Sequence, residues 1–308
     1  MTSEANGIAL IDITDWRTGA DREVAHRLVG AFRDTGFACV TGHGVPPDAV
    51  AGVFDAARRL FGLDNTRLAA LHHSHARNFR GHVPLGEAPG PGAGYEVFDI
   101  GLELPDTYRG PGDTLRATPN LWPEMDGFRS QVLDYLGSVR RLADCVLSAI
   151  AVELGGSPDF FACRSREPHG QLRLLHYPRQ PLAPEDALSV GRHSDYEALT
   201  VLAQDSVGGL QVRRPDGSWR DIQPVEGAFV LNVGEMLMRW TNGLLPATPH
   251  RVLSPRSRDR YSVAFFYAAS YDTVIEPIGP LARPGQDPSY ESVTVGEYLQ
   301  RRFTEVGN

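Results

Sequence analysis

His193-Ser194-Asp195-Tyr196-Glu197-Ala198-Leu199-Thr200 is the stretch on which the reading of this chain turns. In an extended strand, residues i and i+2 project to the same face, so the His193 imidazole and the Asp195 carboxylate can reach one cation from adjacent positions. Such a pair also arises by chance. A third ligand and an anion site give it weight.

His250, in Thr248-Pro249-His250-Arg251-Val252, follows after enough chain for several strands to return to the same end of a barrel. With His193 and Asp195 it makes a two-histidine, one-carboxylate set with open coordination positions, the pattern associated with non-haem Fe(II) oxygenases. Arg260-Tyr261-Ser262 places a guanidinium and a hydroxyl on one strand face. An arginine fork suits a carboxylate and the serine adds a donor, so iron beside this clamp points to a 2-oxo-acid co-substrate.

Around this stretch the texture is β-rich. Short apolar pieces recur at 172–177, 199–203, 209–213, 218–222, 228–233, 250–253 and 261–267, and Pro215-Asp216-Gly217 marks a hairpin turn. Many short strands with Gly/Pro turns predict a sandwich or barrel. Upstream, Val132, Leu136, Val139, Leu142, Val146 and Ile150 keep a helical rhythm within 123–154, with Pro123 in its first turn, and this helix should buttress a sheet. The first third reads as two strand–helix units, with strands at 8–13 and 37–41. Between 76 and 119 periodicity fades among prolines and glycines, which predicts a lid-like loop.

All 30 basic residues are arginine, so a lysine Schiff base, a phosphate-loop ATPase and the protein-kinase lysine are excluded. The net charge of −8 argues against a nucleic-acid or anionic-membrane partner and leaves a small-molecule one. Cys39, Cys145 and Cys163 lie far apart, as in a reduced, cytoplasmic protein. No apolar run approaches ~18 residues, so neither export nor a membrane span is expected.

Several further motifs share one order and spacing with the triad. They are Phe37-Ala38-Cys39-Val40-Thr41-Gly42-His43-Gly44-Val45-Pro46, Gln204-Asp205, Gly208-Gly209-Leu210-Gln211-Val212, Asn232-Val233-Gly234-Glu235, Thr241-Asn242-Gly243 and His250-Arg251-Val252. Over nearly its whole length the chain resembles the isopenicillin N synthase-like branch of the 2-oxoglutarate- and iron-dependent dioxygenases. The resemblance implies an α+β, β-rich fold: a double-stranded β-helix, or jelly roll, buttressed by a long helix and N-terminal strand–helix units. It lays out one compact unit, with an N-terminal region over 1–119 that includes the lid-like loop, buttressing helices over 120–164, the catalytic core over 165–275, and a C-terminal tail and helix over 276–308.

Position by position, the resemblance makes His193, Asp195 and His250 the iron ligands and catalytic centre, and puts Arg260, Ser262 and Tyr177 on the distal carboxylate of 2-oxoglutarate. Leu175 stands where plant members usually have asparagine, so one polar contact is lost there. Fe(II), 2-oxoglutarate and O2 would together oxidise a C–H bond of a small metabolite, releasing succinate and CO2, with hydroxylation the default and desaturation or cyclisation as variants. Arg80, Tyr95 and Phe98 are candidate substrate contacts from the loop, with Arg77 and Phe79 beside them. His72-His73-Ser74-His75 has no carboxylate near it in sequence and reads as a solvated segment; His43 reads as a turn residue and Cys39 as core. Three other readings remain open here: an oxidase of the same fold that uses no 2-oxoglutarate, a zinc-dependent hydrolase on the same ligands, and a non-catalytic metal or small-molecule binding module.

Overall fold

The computed structural model describes residues 3–5, 7–19, 21–76, 80–88, 94–103, 119–166, 168–278, 281–282 and 287–306. At the N-terminus β1 (Ser3–Ala5) and β2 (Ile8–Asp12) precede α1 (Thr14–Gly19) and α2 (Arg22–Thr35), and β3 (Phe37–Thr41) leads into α3 (Pro47–Phe61) and α4 (Asn65–Ala70). The Asp21 carboxylate caps α2 by accepting from the Glu23 amide, and Gly36 at φ 71° ends it. Its apolar stripe, Val24, Leu28, Ala31 and Phe32, is buried as the spacing predicts.

The segment expected to be a lid contributes two strands to the sheet where it is described. It carries β4 (Gly81–Val83) and β5 (Glu96–Gly101), and all six β5 residues are buried. With both faces covered, β5 shows none of the alternation that marks a half-buried strand, and its two carboxylates, Glu96 and Asp99, disguise it further. Arg77, Phe79 and the stretch 104–118 lie outside the described residues.

The long helix, α5 (Phe128–Glu153), starts five residues later than its pattern predicts. Gly127, left-handed at φ 70°, breaks the chain there, so Pro123 precedes the helix rather than opening it. After α5 come β6 (Pro168–Tyr177), β7 (Leu188–His193), β8 (Leu199–Gln204), β9 (Leu210–Arg213), β10 (Trp219–Asp221), β11 (Phe229–Val233), α6 (Glu235–Trp240), β12 (His250–Leu253), β13 (Arg260–Ser270), β14 (Val274–Ile275), β15 (Val293–Thr294) and α7 (Val295–Val306).

Nine strands form one sheet in the order β1-β2-β3-β11-β8-β13-β6-β5-β4, and four form a second in the order β10-β9-β12-β7. An apolar cluster including Phe37, Val97, Leu175, Val230, Leu210, Val212 and Val252 joins residues of the two sheets, while a larger one joins the other face of the first sheet to α2, α3 and α5. The arrangement is the jelly roll, backed by helices. Strand β13 shows how the layers sort: Val263, Phe265 and Tyr267 belong to the helix-side core, with the Tyr267 hydroxyl bonded to Asp144 on α5 at 2.6 Å, while Arg260, Ser262, Ala264 and Phe266 line the cavity between the sheets.

One buried polar network stands behind the cavity. The Glu96 carboxylate bonds His82 Nε2 at 2.7 Å and His176 Nδ1 at 2.8 Å, and His176 Nε2 reaches Asp259 at 3.2 Å. His176 precedes Tyr177 and Asp259 precedes Arg260, so the network fixes the ends of the strands that carry Tyr177 and Arg260. Burial works to raise Glu96, but His176 and His82 hold it below the ordinary carboxylate range. Burial works to lower His176, but Glu96 and Asp259 hold it above the ordinary histidine range. The network therefore stabilises most between those two ranges, and is lost as pH falls through the value of Glu96 or rises through that of His176. In urea denaturation the stability gap between the wild type and Glu96→Gln should be widest near about pH 6 and shrink towards about pH 9. A gap that stays constant over that interval removes the charges from this account.

Candidate metal centre and active site

Strand β7 ends at His193, so Ser194 and Asp195 lie in the turn beyond it rather than in the extended strand expected from their spacing. What brings the residues together is pairing: β12 runs antiparallel to β7 with His250 opposite His193, and the two rings lie 4.2 Å apart. His193 Nε2 is 3.7 Å and His250 Nε2 3.6 Å from Asp195 Oδ1. Two donors each ~2.1 Å from one ion stand at most ~4.2 Å apart, so both separations suit a shared cation.

The protonation pattern fits as well. His193 Nδ1 is 2.9 Å from the Gly191 carbonyl and His250 Nδ1 3.2 Å from that of Thr248, so each Nδ1–H donates to backbone and each Nε2 keeps its lone pair for a metal. Burial, and then His193, push the His250 imidazolium down to about 4, leaving a neutral ring. Burial works to raise Asp195, but the two histidines and hydrogen bonds from Thr200 and Asn232 hold it below the ordinary carboxylate range. Asp195 Oδ2 accepts from Thr200 Oγ1 at 2.5 Å and Asn232 Nδ2 at 2.6 Å, which leaves Oδ1 facing the histidines. Two imidazoles that turn Nε2 inward and one carboxylate are a donor set for Fe(II).

The turn that carries Asp195 is held from behind. The amides of Gly234, Glu235 and Met236 donate to the carbonyls of Ala198, Asp195 and Tyr196 at 3.0, 2.8 and 3.2 Å. Gly234 is required by close approach, because a Cβ there would stand 2.0 Å from the Glu197 carbonyl oxygen. The Glu235 carboxylate accepts from Ser194 Oγ at 2.6 Å and from Tyr298 and Arg302 of α7. The last helix is thereby tied to the residue between two candidate ligands.

A cavity of about 410 Å³ joins this centre to Arg260 and Ser262. Arg260 is 1% exposed, so every N–H it carries must find an acceptor. Nε donates to the Gly208 carbonyl at 2.7 Å, Nη1 to Ser262 Oγ at 3.2 Å and Nη2 to Gln204 Oε1 at 3.4 Å, and the guanidinium lies 4.5 Å above the Tyr177 ring. Of five N–H donors, two remain, one on each Nη. Gly208, at φ 82°, makes the turn that presents its carbonyl. Leu175 sits on the same face, opposite Ser262, and adds only apolar wall.

The substrate candidates separate. Tyr95 lines the cavity and stacks on Tyr177 with centroids 5.7 Å apart. Phe98 does not line it: fully buried, it packs edge-on against Phe128 of α5 at 6.1 Å. Arg80 is not among the lining residues either; it is buried against Gly101 and donates to the Leu102 carbonyl at 3.3 Å. The lining residues that sequence reasoning missed are Arg173, bidentate to buried Asp99 at 2.7 and 2.8 Å, and Glu197, which burial and then Asp195 push up to about 7.

Outside the cavity, His43 makes the expected turn contacts, accepting from the Val45 amide at 3.1 Å and reaching the Gly227 carbonyl at 3.0 Å. Cys39 is core, and burial pushes its thiol up to about 11. The histidine run does have a carboxylate beside it, contrary to its sequence reading, because the turn after β4 brings Glu87 to 3.0 Å from His72 Nε2 and 3.9 Å from His73 Nε2. Among the described residues no helix is long and apolar enough to cross a membrane.

Fold and site together define a non-haem iron oxygenase of the jelly-roll class, and likeness to known proteins carries this further. Residues 168–269 match the 2OG-Fe(II) oxygenase superfamily, and residues 8–125 match the N-terminal region of non-haem dioxygenases in morphine synthesis. The 2-oxoglutarate-Fe(II) type oxidoreductase hxnY of Emericella nidulans is 32% identical, over 93% of this chain and 87% of that protein. The homoarginine-6-hydroxylase 2-ODD-C23 of Glycine max is 33% identical over 97% of each. A full-length Neurospora crassa protein, crystallised in complex with alpha-KG and thymine, superposes with a TM-score of 0.85 at 28% identity, over 98% of each chain. The chain belongs to the 2-oxoglutarate- and Fe(II)-dependent dioxygenases. It is an oxidoreductase that works with Fe(II) and 2-oxoglutarate, which settles the readings left open by its sequence.

The tie from α7 to the metal turn has a measurable consequence. Glu235→Ala removes the acceptor shared by the Ser194 hydroxyl, the Tyr298 hydroxyl and one Arg302 nitrogen, and should destabilise the protein by about 2–4 kcal/mol. Denaturant unfolding at neutral pH checks this; a loss under about 0.5 kcal/mol, the range of an ordinary surface substitution, means the tie does not hold the turn.

Proposed function

We propose that His193, Asp195 and His250 hold the Fe(II), that Arg260, Ser262 and Tyr177 hold the distal carboxylate of 2-oxoglutarate, and that the enzyme hydroxylates a C–H bond of a small-molecule metabolite. The observation that carries this reading is that the three Nε2 and Oδ1 donors and the two uncommitted N–H groups of Arg260 face one cavity. Bound at the triad, Fe(II) supplies the redox chemistry that couples decarboxylation of 2-oxoglutarate and reduction of O2 to oxidation of the substrate, with succinate and CO2 released.

The protein's own groups bind and orient. Arg260 is fixed by Gly208, Gln204, Ser262 and Tyr177 before any anion arrives, so little ordering cost is left for binding. Ser262 Oγ accepts from Arg260, which leaves its own proton for a carboxylate oxygen. Phe37, Leu175, Val190, Leu202, Val252 and Phe266 form apolar walls that exclude water from the reacting centre.

A cavity of about 410 Å³ is near the small end of ligand pockets, which run ~300–1,000 Å³, and it must take the co-substrate as well. A small metabolite fits that space and a polymer does not. The relatives agree in scale: the soybean protein is named for homoarginine and the Neurospora crystal holds thymine.

Two substitutions test the assignment separately. Asp195→Ala should abolish 2-oxoglutarate-dependent succinate release and weaken Co(II) binding, followed by its visible absorption, by more than about 100-fold. Substantial succinate release from that variant would refute the triad. Arg260→Lys replaces the fork by a point charge and should raise the KM for 2-oxoglutarate about tenfold or more. An unchanged KM would move the clamp elsewhere.

A further inference from the structure

One charged group lining the cavity is left unused by this reading. Glu197 stands two residues after Asp195, in the turn that the amides of Gly234, Glu235 and Met236 hold in place, so its position is fixed by backbone rather than by a side-chain partner. The backbone amides of Tyr196 and Glu197 act on its carboxylate from close by. Arg173 is near enough to act on it, but that guanidinium is committed to Asp99 through two short hydrogen bonds and lies 5.7 Å from the Phe266 ring. Arg192, the remaining lining cation, is exposed at the rim.

Charge balance over the loaded cavity makes the gap explicit. Fe(II) with Asp195 carries one positive charge, and the 2-oxoglutarate dianion with Arg260 carries one negative charge, so the two sites cancel. Arg173 and Asp99 cancel as well. Among the described residues, Glu197 is then the carboxylate lining the cavity that lacks a cation of its own, and a half-buried charge of that kind is costly unless it is paired.

On the reading given above, we infer that the prime substrate supplies the missing cation: a small metabolite whose protonated amine, amidine or guanidinium pairs with Glu197 while its apolar part lies along Phe266 and Val190. Glu197 is on this view the specificity-determining residue. Its carboxylate selects positive charge, and its place in the same turn as Asp195 sets the distance from the bound nitrogen to the carbon that is oxidised.

Butylguanidinium and butylurea, matched in shape and differing in charge, are probes for this site. Calorimetric titration onto protein loaded with Mn(II) and 2-oxoglutarate should show butylguanidinium binding about tenfold or more tighter than butylurea, the scale of one hydrogen bond to a charged group. Glu197→Gln should bring that ratio to about one, and Glu197→Asp should keep part of it, a pattern that a merely structural role would not produce. Equal binding of the two probes by the wild type, or a ratio untouched by Glu197→Gln, overturns the inference. Titrating 2-oxoglutarate itself onto the Mn(II) protein separates the two levels. If it binds and the probes are not distinguished, only the role of Glu197 falls; if it does not bind, the underlying assignment of the site falls with it.

Discussion

A carboxylate that is 6% exposed and points one oxygen at two imidazoles is the constraint on which the site depends. Asp195 stays ionised there because the two histidines face it and its other oxygen takes two hydrogen bonds, from Thr200 on β8 and Asn232 on β11. Those strands are neighbours in the large sheet, with Asn232 directly opposite Thr200, so the sheet register itself delivers both donors to one point. On the far side the turn is stitched to the start of α6, and through Glu235 to α7. Removing Thr200 or Asn232 would free Oδ2 to compete with Oδ1 for the histidines.

The same register sets the length of the cavity. Pairing places Phe266 beside Thr200, Ala264 beside Leu202 and Ser262 beside Gln204, while across β6 the partners are Gln171, Arg173 and Leu175, and Arg260 is opposite Tyr177. Successive rungs on the cavity face are two residues apart, so the centre lies at the Thr200 end and the clamp at the Arg260 end of one continuous ladder. A one-residue slip would turn Arg260 and Ser262 out of the cavity and Val263 and Phe265 into it. The helix-side packing of Val263, Phe265 and Tyr267 forbids that slip.

How much of this was legible in the sequence depends on whether the information is local. The Arg260–Ser262 pair and most core strands could be read because each is a short pattern whose side chains must share a face, and His193, Asp195 and His250 could be read from their motifs, although strand pairing and a turn, not one strand face, bring them together. Thr200, Asn232 and Gly234 lie within motifs whose order marks the family, yet their roles as props for Asp195 appear only once strands far apart in sequence pair. Strand β5 was missed because a strand buried on both faces has no alternation, and its buried charges imitate a loop until His82, His176 and Arg173 arrive to satisfy them. Arg80 and Phe98 looked like substrate contacts because both flank proline- and glycine-rich sequence, but burial, not pocket lining, is what they serve. For Arg302 there was no local signal at all: its partner Glu235 is 67 residues away.

The absence of lysine acquires a structural meaning at this point. Arg260 makes three hydrogen bonds while lying over Tyr177, Arg173 grips Asp99 with two nitrogens, and Arg302 meets Glu235 while lying over Tyr196. Each role needs a planar cation that bonds in several directions from one fixed plane, which an ammonium on a flexible stem does not provide.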